Sequence, residues 1–596
     1  MLKKGSPVCW MIVALFLFVI GTSATRAAGD GMRESPIEIR SVRDNFVTFT
    51  NANHPGNRIG YRFFEHEPIV WGEIPVSDEQ AAIETGEVER LIEQFEKRED
   101  VFVSRRQIDG EGKWVKMTWS YYMVPVADGI EILLTIETYK HGLPEYYGVQ
   151  QCFRLGGTGN SEWRREIACT PAFSEYDLWT RGDSSRSLTS VLRSGVWQRL
   201  PASWESVGAR TPLGLAVDAM LGSGRYAERV GPYQSRMLAP IDNGLIARTG
   251  IEGNWVAALH WERTSHVSNH HPADCLHAIV NLGAVPPFSK RALRGKIYWF
   301  EGTLEALQRV HKRDGQNPGR VTVASCQFPV SADIEQNGGW IEKQMRQARI
   351  RDADLVHFPE CALSGYGGVD LEDTGQINWE RLRARTSSIL GRARELKLWV
   401  LLGSTHPLSP PHKPHNSVYV IDPDGRIADR YDKRFCTRGD LKHYSPGGHF
   451  VVFEVNGVRC GVLICYDLRF PELYREYVKL DIQLLFQSFY NARQRPGAIH
   501  PKIMPVTMQA RAATNSFFIS LTNSCAPNSW PCYFINPDGL IRGVLPADRP
   551  GILISRVNTS QKYYDASAPY RDRAIGGLLH SGDVVDDPRS TDRNGY

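Results

Sequence analysis

A mostly-β, sandwich-like domain followed by an α/β layered domain is the fold class predicted for this chain, and three observations predict it. The chain has 596 residues, more than one hydrophobic core ordinarily supports. Its first half is rich in short alternating runs, aromatics and turn residues, whereas its second half alternates strand-length apolar runs with stretches of helical period. Between them, Gly315-Gln316-Asn317-Pro318-Gly319 has linker composition. The expected organisation is a leader at 1–28, the β-rich domain at 34–300, a helix and linker at 301–319, the α/β domain at 320–560 and a tail at 561–596.

The N-terminus reads as a secretory signal peptide. Lys3 and Lys4 precede an apolar run at 8–20, and small residues follow, with cleavage expected near 24–28. An uncleaved anchor would need about 20 apolar residues. The expected location is therefore exported, periplasmic or extracellular. Cys9 lies inside the apolar run, which speaks against lipid attachment. Export permits disulfides, but the other cysteines are scattered without a small-scaffold rhythm; Cys152 and Cys169 are a pairing the sequence leaves open. Lys+Arg 70 against Asp+Glu 66 is near balance, with no basic run, which argues against a nucleic-acid partner.

In the first half, Ile132, Leu134 and Ile136 alternate with Leu133, Thr135 and Glu137, as in a strand with one buried face. Residues 114–126, 255–261 and 295–300 read the same way. Residues 77–98 are the helical exception, with Val88, Leu91, Ile92 and Phe95 on one stripe. Two features hint at function. His266, His270, His271, Asp274, Cys275 and His277 are metal-ligand types whose spacing matches no structural zinc pattern, so a loop between strands is the expected reading and no metal is assigned. Tryptophans such as Trp71, Trp114 and Trp119 would suit a glycan platform, although sandwich tryptophans usually fill cores.

The second half opens with a helix at 303–314 and the linker. Strands are then expected at 321–327, 354–358, 399–403, 417–422, 450–454, 458–464, 482–486, 517–522, 533–536 and 552–557. Helical stripes carry Ile341, Met345 and Ala348, then Leu382, Ile389 and Ala393. Three polar residues sit where strands should end. Glu360 follows one in F-P-E-C-A-L-S-G-Y, Lys433 lies in D-R-Y-D-K-R-F after the turn at 422–425, and Cys465 closes an apolar run in G-V-L-I-C-Y-D-L-R-F-P-E. A carboxylate, an ammonium and a thiol at one sheet rim could move the thiol proton and hold an oxyanion, with a backbone N–H after the cysteine as second donor.

These three motifs, in this order, resemble the nitrilase or carbon–nitrogen hydrolase superfamily over 321–557. The resemblance implies a four-layer αββα sandwich, a homodimer through this domain, and no metal or organic cofactor. It makes Glu360 general base, Lys433 oxyanion stabiliser, Cys465 nucleophile and the Tyr466 N–H the backbone donor. The sequence departs from the pattern at Asp440, where a second glutamate is usual, at Thr514 in place of an acid, and at Cys532 in place of a serine. Asp440 is thus a second-acid candidate, and Arg469 and His500 are candidates for substrate contact or for structural pairing and capping.

The function implied is hydrolysis of a non-peptide C–N bond in a small amide or carbamoyl substrate through a thioester. Tyr466 after the cysteine resembles the amidase branches, since many nitrilases carry tryptophan there. The alternative is an exported glycan- or partner-binding protein with an inert second half.

Overall fold

Alternation along the strand Arg320–Gln327 sets the plan of the second half: Val321 and Val323 enter one core while Ala324 and Cys326 enter another. The computed structural model describes residues 35–595 apart from 44–45, 65, 76–78, 156–172, 174–186, 202–206, 223–235, 238–239, 271–273 and 316–317. The segment expected to be a leader, Cys169 and part of the linker therefore lie outside the described residues. Among the described residues, two six-stranded sheets build the second half. One runs in the order Ile427–Asp432, His415–Ile421, Trp399–His406, Leu355–His357, Arg320–Gln327, Gly551–Asn558. The other runs Val452–Val455, Val458–Ile464, Leu484–Ser488, Phe518–Thr522, Tyr533–Ile535, Ile541–Val544.

Val323, Leu401 and Val418 of the first sheet and Val462, Phe486 and Ile519 of the second belong to one apolar cluster. On the first sheet's other face, Ala324, Val356 and Val400 meet Ile341 and Met345 of the helix Ile334–Ile350 and Ile389 and Ala393 of the helix Trp379–Leu396. Asp333 and Asn378 cap these helices, each accepting from backbone N–H groups of the first turn. The helices Pro471–Lys479 and His500–Asn515 pack on each other and join the second sheet's cluster through Tyr474, Tyr477 and Met508. The family-like α/β pattern is therefore present. The strand Ile427–Asp432, which the sequence reading did not separate from its hairpin, carries the chain to Lys433.

The first half is β-rich, with a nine-stranded and an eight-stranded sheet among the described residues. Phe49, Val149 and Leu276 of the former share a core with Leu134, Leu259 and Trp299 of the latter. The expected strand at 295–300 is the end of a longer one, Lys290–Glu301. The helix Pro212–Leu221 was not foreseen, because it is apolar nearly all round and so shows no amphipathic stripe.

That helix explains its own composition. It lies against the strand Thr264–His270 and against both helices of the second half's first sheet. Leu213, Leu215, Ala216 and Val217 join the cluster that holds Ile341 and Ile389. Polar contacts reinforce the join at the C-terminal end of Ile334–Ile350, where orphan carbonyls need donors. Arg263 Nη2 and Asn281 Nδ2 both donate to the Ile350 carbonyl, at 3.1 and 3.4 Å, and Arg351 pairs with Glu145. A Val217→Asp substitution places an unpaired carboxylate in this contact. It is expected to cost about 2–4 kcal/mol and to split one thermal unfolding transition into two. An unchanged single transition would show that the contact does not couple the halves.

Candidate active site

The strand Val458–Ile464 runs parallel to Leu484–Ser488, which runs parallel to Phe518–Thr522. Carboxyl ends of parallel strands leave a crevice suited to ligands. Cys465 stands there, opening the 3₁₀ turn Cys465–Arg469 at φ +43°, a left-handed conformation that costs a non-glycine residue free energy. Gln487 Nε2 donates to its carbonyl at 3.2 Å, and Asn491 Nδ2 lies 3.7 Å from its sulfur. Burial pushes the thiol well above its ordinary range; the Glu360 carboxylate beside it adds to this, and Lys433 opposes it.

Glu360 arrives from the facing sheet, just beyond Leu355–His357. Its turn needs Gly403 on the next strand, since a Cβ there would sit 1.9 Å from the Pro359 carbonyl. Its Oε1 accepts from Asn416 Nδ2 at 2.7 Å and Lys433 Nζ at 2.8 Å, and its Oε2 accepts from the Tyr490 N–H at 2.8 Å. Burial lifts this carboxyl above its usual range, with Lys433 pulling it back.

Lys433 Nζ lies 2.8 Å from Glu360 Oε1, 2.8 Å from Asp440 Oδ2 and 3.3 Å from the Tyr366 hydroxyl. Burial works against its charge, yet the anionic neighbours outweigh it and the ammonium is held well above its ordinary pKa. Asp440 also accepts from Tyr366 at 2.6 Å and from the Thr437 N–H at 2.9 Å. Desolvation raises its carboxyl, but Lys433 and these donors bring it below the usual range. The structure thus brings together Glu360, Lys433, Cys465 and Asp440.

Arg469 and His500 behave differently. Arg469 is exposed, and His500 opens the helix His500–Asn515, half-buried, its imidazole pulled down by burial and then by Arg469. Among the described residues neither bonds to Glu360, Lys433 or Cys465. The Tyr466 ring packs on Phe470, and its backbone follows the sulfur directly.

Three supporting residues escaped the sequence reading. Asp467, inside the cysteine motif, accepts from the Phe435 N–H and Ile464 N–H and from the Tyr431 hydroxyl, at 2.9, 3.0 and 2.9 Å. It ties the lysine loop to the cysteine turn, and burial raises its carboxyl to about 6. Tyr366 closes the glutamate motif and bridges Lys433 and Asp440. His357 sits between the sheets, 2.9 Å from Ser520 Oγ and 3.0 Å from Ser488 Oγ. The first two lie within the glutamate and cysteine motifs, so the sequence does carry a signal for them. His357 gave no signal, because its hydroxyl partners come from distant strands.

The histidine-rich stretch is corrected from a loop to a hairpin. His266 and His270 lie on the strand Thr264–His270, and Cys275 and His277 on Cys275–Asn281; His271 lies outside the described residues. His266 faces Asp218 at 3.6 Å. Cys275 lies beside Cys152. Burial opposes ionisation of Cys275, but Cys152, Arg154, His270 and His277 outweigh it and hold this thiol well below its ordinary range.

The family model for carbon-nitrogen hydrolase matches residues 322–563. An (R)-stereoselective amidase of Pseudomonas sp is 32% identical over 177 residues, which are 29% of this chain and 59% of that protein. A hydrolase in the agr operon of Staphylococcus lugdunensis is 30% identical over 202 residues, 32% of this chain and 82% of that protein. The crystal structure of an amidase from Nesterenkonia sp. superposes with a TM-score of 0.38 at 22% identity, covering 44% of this chain and 96% of that one.

Burial pulls the His357 imidazole from 6.5 down to about 3. The unfolded chain takes up a proton below about pH 6.5 that the folded chain refuses until about pH 3, so this residue's contribution to stability is present above that window and is lost as pH falls through it. His357→Gln is expected to flatten the acid decline in unfolding free energy by up to about 1.4 kcal/mol per pH unit. Urea midpoints across the window check this, and an unchanged slope would refute a buried neutral imidazole.

Proposed function

Because the chain belongs to the carbon–nitrogen hydrolase family, we propose that it hydrolyses small linear amides or N-carbamoyl amines through Cys465, Glu360 and Lys433. The observation that carries the reading is the lysine ammonium 2.8 Å from the carboxylates of Glu360 and Asp440, with Cys465 beside Glu360. The site lies in an α/β half that we read as a four-layer αββα sandwich; the β-rich half we read as a sandwich beside it. The amidase named among the relatives supports this branch.

The Cys465 thiol is protonated at rest, so the reaction begins by passing its proton to Glu360 as the sulfur attacks the carbonyl carbon. The carbonyl π pair moves to oxygen, and the Lys433 ammonium and the Tyr466 N–H hold the resulting oxyanion. Glu360 returns the proton to the nitrogen, the C–N bond breaks, and ammonia or an amine leaves a thioester on Cys465. Water then gives a proton to Glu360 while attacking that thioester, and the carboxylic acid leaves as the thiol is restored. A pocket that desolvates all three groups strengthens each electrostatic step. Asp440 stands one methylene shorter than the usual glutamate, yet its Oδ2 still reaches Lys433 Nζ directly at 2.8 Å, and Tyr366 donates to its other oxygen while lying 3.3 Å from Lys433. Its role is to keep the ammonium charged and aimed.

Ammonia release from a panel of amides and N-carbamoyl amines tests the reading. Cys465→Ala is expected to abolish release, and Glu360→Gln to lower kcat by about 10²–10⁴-fold. Release that survives Cys465→Ala would overturn the assignment. No release from any panel member, together with no alkylation of Cys465 by iodoacetamide, would instead favour an inert binding protein.

A further inference from the structure

The geometry points to a zinc site in the β-rich half, built by Cys152, Cys275 and His277 with His270 as fourth ligand. The strands Tyr146–Arg154, Cys275–Asn281 and Thr264–His270 are neighbours in the nine-stranded sheet. His277 pairs directly with Cys152 on one side and Ser268 on the other; two residues along, Cys275 pairs with Arg154 and His270. Directly opposed residues share a face of a sheet, and so do residues two apart. All six side chains therefore stand on one face, opposite the core that takes Phe153 and Leu276.

The ligand atoms of Cys152, Cys275 and His277 lie within 4.8 Å of one another. Tetrahedral zinc with sulfur and imidazole ligands needs separations of about 3.3–3.8 Å, so small side-chain rotations close the set. The His270 ring is 5.9 Å from that of His277, stacked on the same side. Both cysteines are fully buried and both histidines are 5% exposed, on rigid strands rather than loops. His277 Nδ1 lies 3.2 Å from Ser268 Oγ, the outer contact that would fix the tautomer presenting Nε2 to a metal. Arg154 Nη1 donates to Cys275 Sγ at 3.3 Å, so a guanidinium stands against the sulfur that would bind the metal. Two sulfurs and two imidazoles in a closed, buried set suit zinc over harder cations. The ligands come from two distant segments, so the sequence spacing matches no local zinc motif.

The test uses the full chain in a Cys465→Ala background, so that the other reactive thiol does not compete. Elemental analysis is expected to find one tightly held zinc per chain, retained on dialysis and lost in Cys275→Ser. Replacement by Co²⁺ is expected to give the visible d–d bands and sulfur-to-metal charge transfer of a tetrahedral thiolate site. Ser268→Ala, which keeps every ligand, should weaken metal affinity by about 10–100-fold. Metal content and the cobalt spectrum of the parent chain decide the matter even where a ligand variant fails to fold. Zinc that dialyses away, a cobalt spectrum without charge transfer, or an intact mass showing a disulfide between Cys152 and Cys275 would each overturn the site.

Discussion

A lysine ammonium removed from water, with carboxylates on two sides, is the constraint on which the rest of the second half depends. Burying one charge alone is prohibitive, and burying three is tolerable only when each finds partners. Glu360 has Asn416, Lys433 and the Tyr490 N–H; Asp440 has Lys433, Tyr366 and the Thr437 N–H. Every one of these donors comes from a segment that must arrive at the same rim. The positions of the strand ends, the turn backed by Gly403 and the left-handed Cys465 follow from meeting that requirement.

The two sheets are locked together by polar contacts as well as by their apolar interface. The Glu360 N–H donates to the Phe489 carbonyl across the gap, and Ser488 and Thr522 hydroxyls both donate to the Phe358 carbonyl. Asp467 performs the same service on the cysteine side, where one carboxylate holds backbone from the lysine loop and from the cysteine strand. A densely paired buried network favours one arrangement, because a slip leaves further polar groups without partners. Glu360, Lys433 and Cys465 are thereby held in place, an arrangement that would suit the proposed reaction, whose charge develops at fixed points.

The first half is joined to this machinery at a distance from the three groups. Its helix Pro212–Leu221 covers the helices behind the Glu360 sheet, and its arginine and asparagine cap the end of Ile334–Ile350. The contact combines apolar burial with satisfied helix carbonyls, so separation would expose both.

Legibility in the sequence followed the range of the forces involved. Glu360, Lys433 and Cys465 could be picked out because each stands within a few residues of a strand end, and strand ends are marked by local changes in polarity. The β-rich texture of the first half was visible for the same reason, in the alternation around Ile132, Leu134 and Ile136. Arg469 and His500 stand in or near the same motifs, but among the described residues neither bonds to Glu360, Lys433 or Cys465. Local pattern thus determined the order of elements and the motifs that carry the family resemblance, since hydrophobic period and turn chemistry act between near neighbours, and the resemblance in turn singled out Glu360, Lys433 and Cys465 as candidates. Only the tertiary structure decided that Asp440 grips Lys433, that Asp467 and His357 support the rim, and that Cys152 meets Cys275. Those pairings join residues that burial has removed from water and that no local period relates, so each is settled by which partners the packed chain leaves within reach.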